Sequence, residues 1–136
     1  VFILKSLPKN KIFIIILERM EEKISFIQEN LRKDLPEIRP GMKVKVIERF
    51  FEGGKEKTSE FEGIVIATRH GKGLDGTFCV RNVLDGIGVE KIYPLHSPAI
   101  KEIKILEKYK VRRAKLYFLR SLSPKEIRRK LRKKVK

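Results

Sequence analysis

A single cysteine, Cys79, stands in a chain of 136 residues. That excludes an internal disulfide framework and any multi-cysteine zinc site. Its neighbours Phe78 and Val80 form a strand pattern, so Cys79 reads as a packing or surface residue in a protein of a reducing compartment. Histidine is almost as scarce: His70 and His96 are the only two, and no metal-ligand spacing forms around them. Neither a metal nor a cofactor is expected. Long apolar runs are missing as well. The longest, Ile12–Leu17, spans six residues, against the roughly twenty that a membrane-spanning helix needs. It runs directly into Glu18, Arg19, Glu21, Glu22 and Lys23, which excludes a signal peptide and leaves no membrane partner to expect. Finally, acid is nearly absent from one end. Residues 107–136 hold fourteen Lys or Arg against two acids, Glu107 and Glu126, and so carry +12 of the whole-chain charge of +16.

That end is basic, and the remainder is nearly balanced, with nineteen bases and fifteen acids in residues 1–106. Like charges at such density repel one another in water and settle against a polyanion. A phosphate backbone is one such partner. Neutralising roughly 6–10 phosphates releases counterions and makes the affinity steeply salt-dependent.

The chain divides into three parts by pattern. Residues 1–36 contain an N-terminal extension and an amphipathic helix, in which Leu17, Met20, Ile24, Ile27 and Leu31 step by three and four. The helix should stop before Pro36, because the residue preceding a proline is biased away from helix. Residues 37–106 alternate instead. Val44 and Val46 fall in one run, Phe61, Val65 and Ala67 in a second, Phe78, Val80 and Val89 in later ones. Ile100, Ile103 and Ile105 form the last, where a spacing of three implies a local irregularity. Pro40-Gly41, Gly53-Gly54, Gly71 to Gly76, Asp85-Gly86 and Ser97-Pro98 punctuate the runs. Short strands at this spacing without intervening helices predict a small antiparallel barrel or sandwich. Residues 107–136 read as a basic helical tail. Ser123-Pro124-Lys125-Glu126 is a capping box with proline at the first helical position. Ile127, Leu131 and Val135 then recur every four residues to the end. Ala114, Leu116, Tyr117 and Leu119 predict further helical turns before it.

Catalytic constellations are hard to build from these residues. Gly71-Lys-Gly73-Leu-Asp-Gly76 matches the dinucleotide fingerprint in letters, but a strand pattern follows it, and the fingerprint must open a helix. A glycine-rich hairpin tip fits better, and with Arg69, His70 and Lys72 beside it the tip can approach a phosphate backbone closely. Ser97, His96 and Asp75 give no nucleophile elbow. Glu60 and Glu62 share a strand face that solvent explains. The chain is therefore not expected to be an enzyme.

Three strings carry a specific resemblance: Phe61-Glu-Gly-Ile-Val-Ile-Ala-Thr-Arg69, Gly86-Ile-Gly-Val-Glu-Lys-Ile-Tyr-Pro-Leu-His-Ser-Pro98, and Lys110-Val-Arg-Arg-Ala-Lys-Leu-Tyr-Phe-Leu-Arg120, with Phe78 to Val83 and Arg39-Pro-Gly41 in the same order. Across about Asp34 to Arg120 the chain resembles the bacterial-type large-subunit ribosomal protein family, the nineteenth of that subunit. The resemblance implies a mainly β fold with flanking helices: a small SH3-like β-barrel, an N-terminal helix and basic C-terminal helices. It implies a structural constituent of the large ribosomal subunit, in a bacterial cytoplasm or an organelle matrix. The partners it implies are large-subunit ribosomal RNA, small-subunit ribosomal RNA across inter-subunit bridges, and neighbouring large-subunit proteins including the fourteenth. Residue by residue, it puts Arg112, Arg113, Lys115 and Arg120 against ribosomal RNA, with Arg69, Lys72 and Arg81 at the hairpin and His96 and Ser97 in the matched turn. Arg128, Arg129 and Arg132 are assigned RNA contact from charge alone. The hairpin here holds less arginine than the family's, and residues 1–16 exceed the family's expected length. A free RNA-binding translation factor with a small barrel is the alternative.

Overall fold

A computed structural model of the chain describes residues 9–133, and the side chains of residues 11–25 and 31–131. The chain divides between Arg32 and Lys33 into two units. In the first, helix α1 (Lys9–Asn30) ends ahead of Pro36, as the proline requires. Leu17, Met20 and Ile24 of the expected stripe are all exposed, as are Phe13 to Ile16. Among the described residues no helix is long and apolar enough to cross a membrane.

The second unit is mainly β, with strands β1 (Met42–Glu52), β2 (Lys55–Arg69), β3 (Thr77–Leu84), β4 (Ile87–Pro94) and β5 (Ile100–Lys110). A 3-10 turn (Tyr117–Ser121), helix α2 (Pro124–Lys130) and a short strand β6 (Arg132–Lys133) follow. The sheet order is β4-β3-β2-β1-β5-β6, with antiparallel pairing throughout. Gly53-Gly54 and Asp85-Gly86 close two-residue hairpins with positive φ at all four residues, the mirror-image turns whose twist suits paired strands. The sheet curls around one cluster to which every long strand contributes. It contains Val44 and Val46, Phe61 and Val65, Phe78 and Val80, Tyr93, and Ile100 and Ile103, each at most 9% exposed. Phe78 and Tyr93 stack inside it with ring centroids 5.4 Å apart.

Two of the sheet's three register shifts shape this frame. In β5 the register slips between the partners of Ile47 and Glu48, so Lys101 is skipped. That is the irregularity implied by the Ile100–Ile103 spacing. In β2 the pairing passes from Val65 to Ala67 and leaves Ile66 unmatched. A one-residue slip turns the following side chains to the other face. Ala67, expected beside Phe61 and Val65, therefore joins Ile66 in a second cluster with Leu116 and Leu119. β2 is covered on both faces, which explains why its apolar run is continuous. Gly63 serves the same crowding, because a Cβ there would lie 2.5 Å from the Arg81 carbonyl oxygen of β3.

The C-terminal part departs from its expected helix. β5 runs past residue 106 to Lys110, and the turns expected around Leu116 reduce to the single 3-10 turn. α2 stops at Lys130, with Leu131 already extended, and Arg132 and Lys133 pair with Lys110 and Tyr109. A continued helix would have set Arg128 above Arg132 and Arg129 above Lys133, like charges four residues apart. The open edge of β5 offers their backbone partners instead. Residues 1–8, Val135 and the side chains of Ile27 and Arg132 lie outside the described residues.

Candidate nucleic-acid interface

The bulge in β2 fastens the basic segment to the sheet. Ile66 keeps its carbonyl free of the ladder, and the Leu116 amide donates to it at 2.8 Å. Leu116 and Leu119 are each 1% exposed against Ile66 and Ala67, and Val111, Phe118, Leu122 and Ile127 pack around them. These apolar anchors hold the segment flat and leave Arg112, Arg113 and Lys115 exposed. The capping box forms as expected. Ser123 Oγ accepts from the Glu126 amide, and the Glu126 carboxylate accepts the Ser123 amide at 2.9 Å. Hydrogen bonds from the Ser123 backbone and hydroxyl hold the Glu126 carboxyl below the usual carboxylate range. α2 then carries Arg128, Arg129 and Lys130 exposed, between half-buried Ile127 and buried Leu131.

Charge pairing separates this segment from the rest. On the β1–β2 face, Lys43 meets Glu62 at 2.6 Å, Lys45 meets Glu60 at 2.5 Å and Lys57 meets Glu52 at 2.6 Å. The acids noted at Glu60 and Glu62 are thus neutralised across the strands. The two acids of the basic segment are engaged elsewhere, Glu126 in the cap and Glu107 by the Tyr109 hydroxyl. Burial, with that bond, pushes the Tyr109 phenol up to about 12. Among the described residues no salt bridge engages Arg112, Arg113, Lys115, Arg128, Arg129 or Lys130.

Two of the expected RNA-contact residues are paired with a carboxylate of the protein itself. Arg81 is 15% exposed and donates to Glu90 at 2.8 Å. Arg120 donates to both oxygens of the same carboxylate, at 2.8 and 2.9 Å, and lies over the Tyr117 ring. The Arg120 bonds, and then that of Arg81, hold the Glu90 carboxyl below its ordinary value against the opposing effect of burial. Arg81 and Arg120 therefore join β3 and β4 to the C-terminal segment, and their charge is shared with a carboxylate. Glu90 was the residue missing from the sequence reading, since it lies 30 positions from Arg120.

The remaining residues gather at one end of the sheet. β2 ends and β3 begins at Arg69 and Thr77, which pair, and β4 ends opposite them at Pro94. β5 ends at this same side, with Lys108 opposite Met42 at the start of β1. Arg69 and Lys72 are exposed there. His96 Nε2 is 3.1 Å from the Lys72 carbonyl, which ties the turn to the hairpin, and Ser97 Oγ accepts from the Ala99 amide. His96 and Ser97 thus hold the loop together. His70 Nδ1 lies 3.6 Å from an Asp75 carboxylate oxygen. Burial raises the Cys79 thiol above its ordinary value, in keeping with a packing role.

Known proteins match this chain over most of its length. The family described as Ribosomal protein L19 matches residues 21–132. The large ribosomal subunit protein bL19 of Thermus thermophilus is 54% identical over 102 residues, which cover 75% of this chain and 69% of that protein. The protein of the same name from Thermosipho africanus is 50% identical over 107 residues, 78% of this chain and 92% of its own length. That of Thermosipho melanesiensis is 49% identical over 107 residues with the same coverage.

Proposed function

The chain belongs to the ribosomal protein L19 family, and from that premise we propose how it holds to the large ribosomal subunit, of which it is a structural, non-enzymatic constituent. The basic segment from Lys108 through α2 binds large-subunit ribosomal RNA, with Arg112, Arg113, Lys115, Arg128 and Arg129 as phosphate contacts. The observation that supports this most is that, among the described residues, no salt bridge engages these cations, while Glu107 and Glu126 are engaged by Tyr109 and by the helix cap. Arg69 and Lys72, at the same end of the sheet, add a second contact. These residues position the protein on its RNA and do not read base sequence, since RNA duplexes hide their major groove and expose sugar and phosphate.

The same reading extends to the protein's surroundings. It lies at the interface with the small subunit and helps bridge to small-subunit ribosomal RNA, beside neighbouring large-subunit proteins including the fourteenth, as its resemblance implies. The small curled sheet, in this reading an SH3-like barrel, is the frame that holds the loops against RNA. Fractionating a lysate on a sucrose gradient at low magnesium tests the assignment. Near one copy per large subunit after a high-salt wash supports it, while a protein at the top of the gradient is a free factor. Subunit association measured with and without this protein tests the bridge.

A further inference from the structure

Beside the phosphate contacts runs a groove of about 540 Å3 whose chemistry differs from theirs. Leu116, Phe118 and Leu131 line it together with Lys110, Arg113 and Lys130. Arg113 and Lys130 both stand against the Phe118 ring, at 5.4 and 5.3 Å from its centroid. Two cations gathered on one ring repel each other, and among the described residues no salt bridge relieves either of them. An anion is missing from that arrangement, but an anion alone leaves the half-buried Phe118 ring uncovered. A regular RNA duplex also leaves it uncovered, because its base faces are stacked on one another and cannot lie against a side-chain ring. A splayed-out nucleotide satisfies both demands. Its base lies against the half-buried Phe118 ring or the flat Arg113 guanidinium, and its phosphate meets Lys110 and Lys130. The groove falls within the roughly 300–1,000 Å3 range of small-molecule sites, ample for one nucleotide.

We propose that this groove captures a single unstacked nucleotide of ribosomal RNA, a bulged or loop residue, beside the duplex gripped by Arg112, Arg128 and Arg129. The proposal rests on the RNA-binding reading above and narrows the kind of RNA element involved. Phe118 and Lys130 then belong to the interface although neither stood out in the sequence: Phe118 resembles a core residue, and Lys130 is one base in a run.

The test uses the full chain and two synthetic RNA hairpins of equal length, one fully paired and one with a single 2-aminopurine bulge. The expected result is about tenfold tighter binding of the bulged hairpin, the worth of one base stacked on an aromatic platform, with a change in 2-aminopurine fluorescence on binding. Phe118→Leu keeps apolar bulk and should pull the affinity ratio towards one. Arg113→Lys keeps the charge, loses the flat stacking surface and should reduce the ratio as well. Thermal melts of both variants establish that they are folded. Equal, salt-sensitive binding of both hairpins by the native chain would overturn the groove and leave the RNA-binding reading standing. Binding of neither hairpin would overturn both. An unaltered ratio in both folded variants would also count against the nucleotide site.

Discussion

Replacing Glu90 with Gln should weaken the fold by an amount that depends on pH in a defined direction. Glu90 is 24% exposed and accepts three guanidinium bonds, one from Arg81 and two from Arg120. Arg120 is about half-exposed, so its part is screened by solvent and is left out of the sum. Arg81 is 15% exposed, and its Nε already has no partner. Removing its carboxylate leaves a mostly buried cation uncompensated, which costs about 2 kcal/mol. For a unit of this size that lowers the melting temperature by about 8 °C. The Glu90 carboxyl titrates below its ordinary value of 4.5. Its contribution is therefore complete above that value and disappears as pH falls through the lowered one. Calorimetric melts of wild type and Glu90→Gln should differ fully at neutral pH and converge in acid. A shift under about 2 °C at neutral pH, or a gap that persists undiminished in strong acid, would refute the reasoning.

Three further variants probe other parts of the molecule. Arg112→Ala with Arg113→Ala should lower RNA affinity and flatten the plot of log affinity against log salt by about one unit per lost phosphate contact; an unchanged slope counts against both contacts. Gly63→Ala drives a Cβ into the Arg81 carbonyl at 2.5 Å, backbone against backbone, and should cost about 3 kcal/mol in urea unfolding. Ser123→Ala removes the acceptor of the capping box and should cost about 1 kcal/mol. Circular dichroism should record less helix in that variant, and an unaltered spectrum and melt would exclude a stabilising cap.

Some of this molecule is local chemistry and was legible in the residues themselves. Gly53-Gly54 and Asp85-Gly86 announce tight hairpins because few other residues accept left-handed backbone. Ser123 to Glu126 announces a helix start because both cap bonds are made within four residues. Alternation placed Val44, Val46, Phe61, Val65, Phe78 and Val80 in one core. The end of the helix was not legible, since the choice between continuing α2 and pairing Arg132 with Lys110 depends on an edge that β5 supplies from elsewhere in the chain. Ala67 was misplaced for a similar reason: the bulge at Ile66 belongs to a pairing of two strands.

The amino-acid sequence alone determined that charge is segregated, with a nearly neutral body and a strongly basic end, because net charge is a sum over residues and needs no geometry. The tertiary structure decided which of those bases are available to a partner. Pairing acts through space: Glu90 reaches Arg120 across 30 positions, and the Ile66 carbonyl takes the Leu116 amide from a distant segment. Arg81 and Arg120 look like Arg112 and Arg113 in the sequence. Folding brings the first pair to a carboxylate and turns the second pair outward, and that difference makes one pair part of the frame and the other part of the proposed interface.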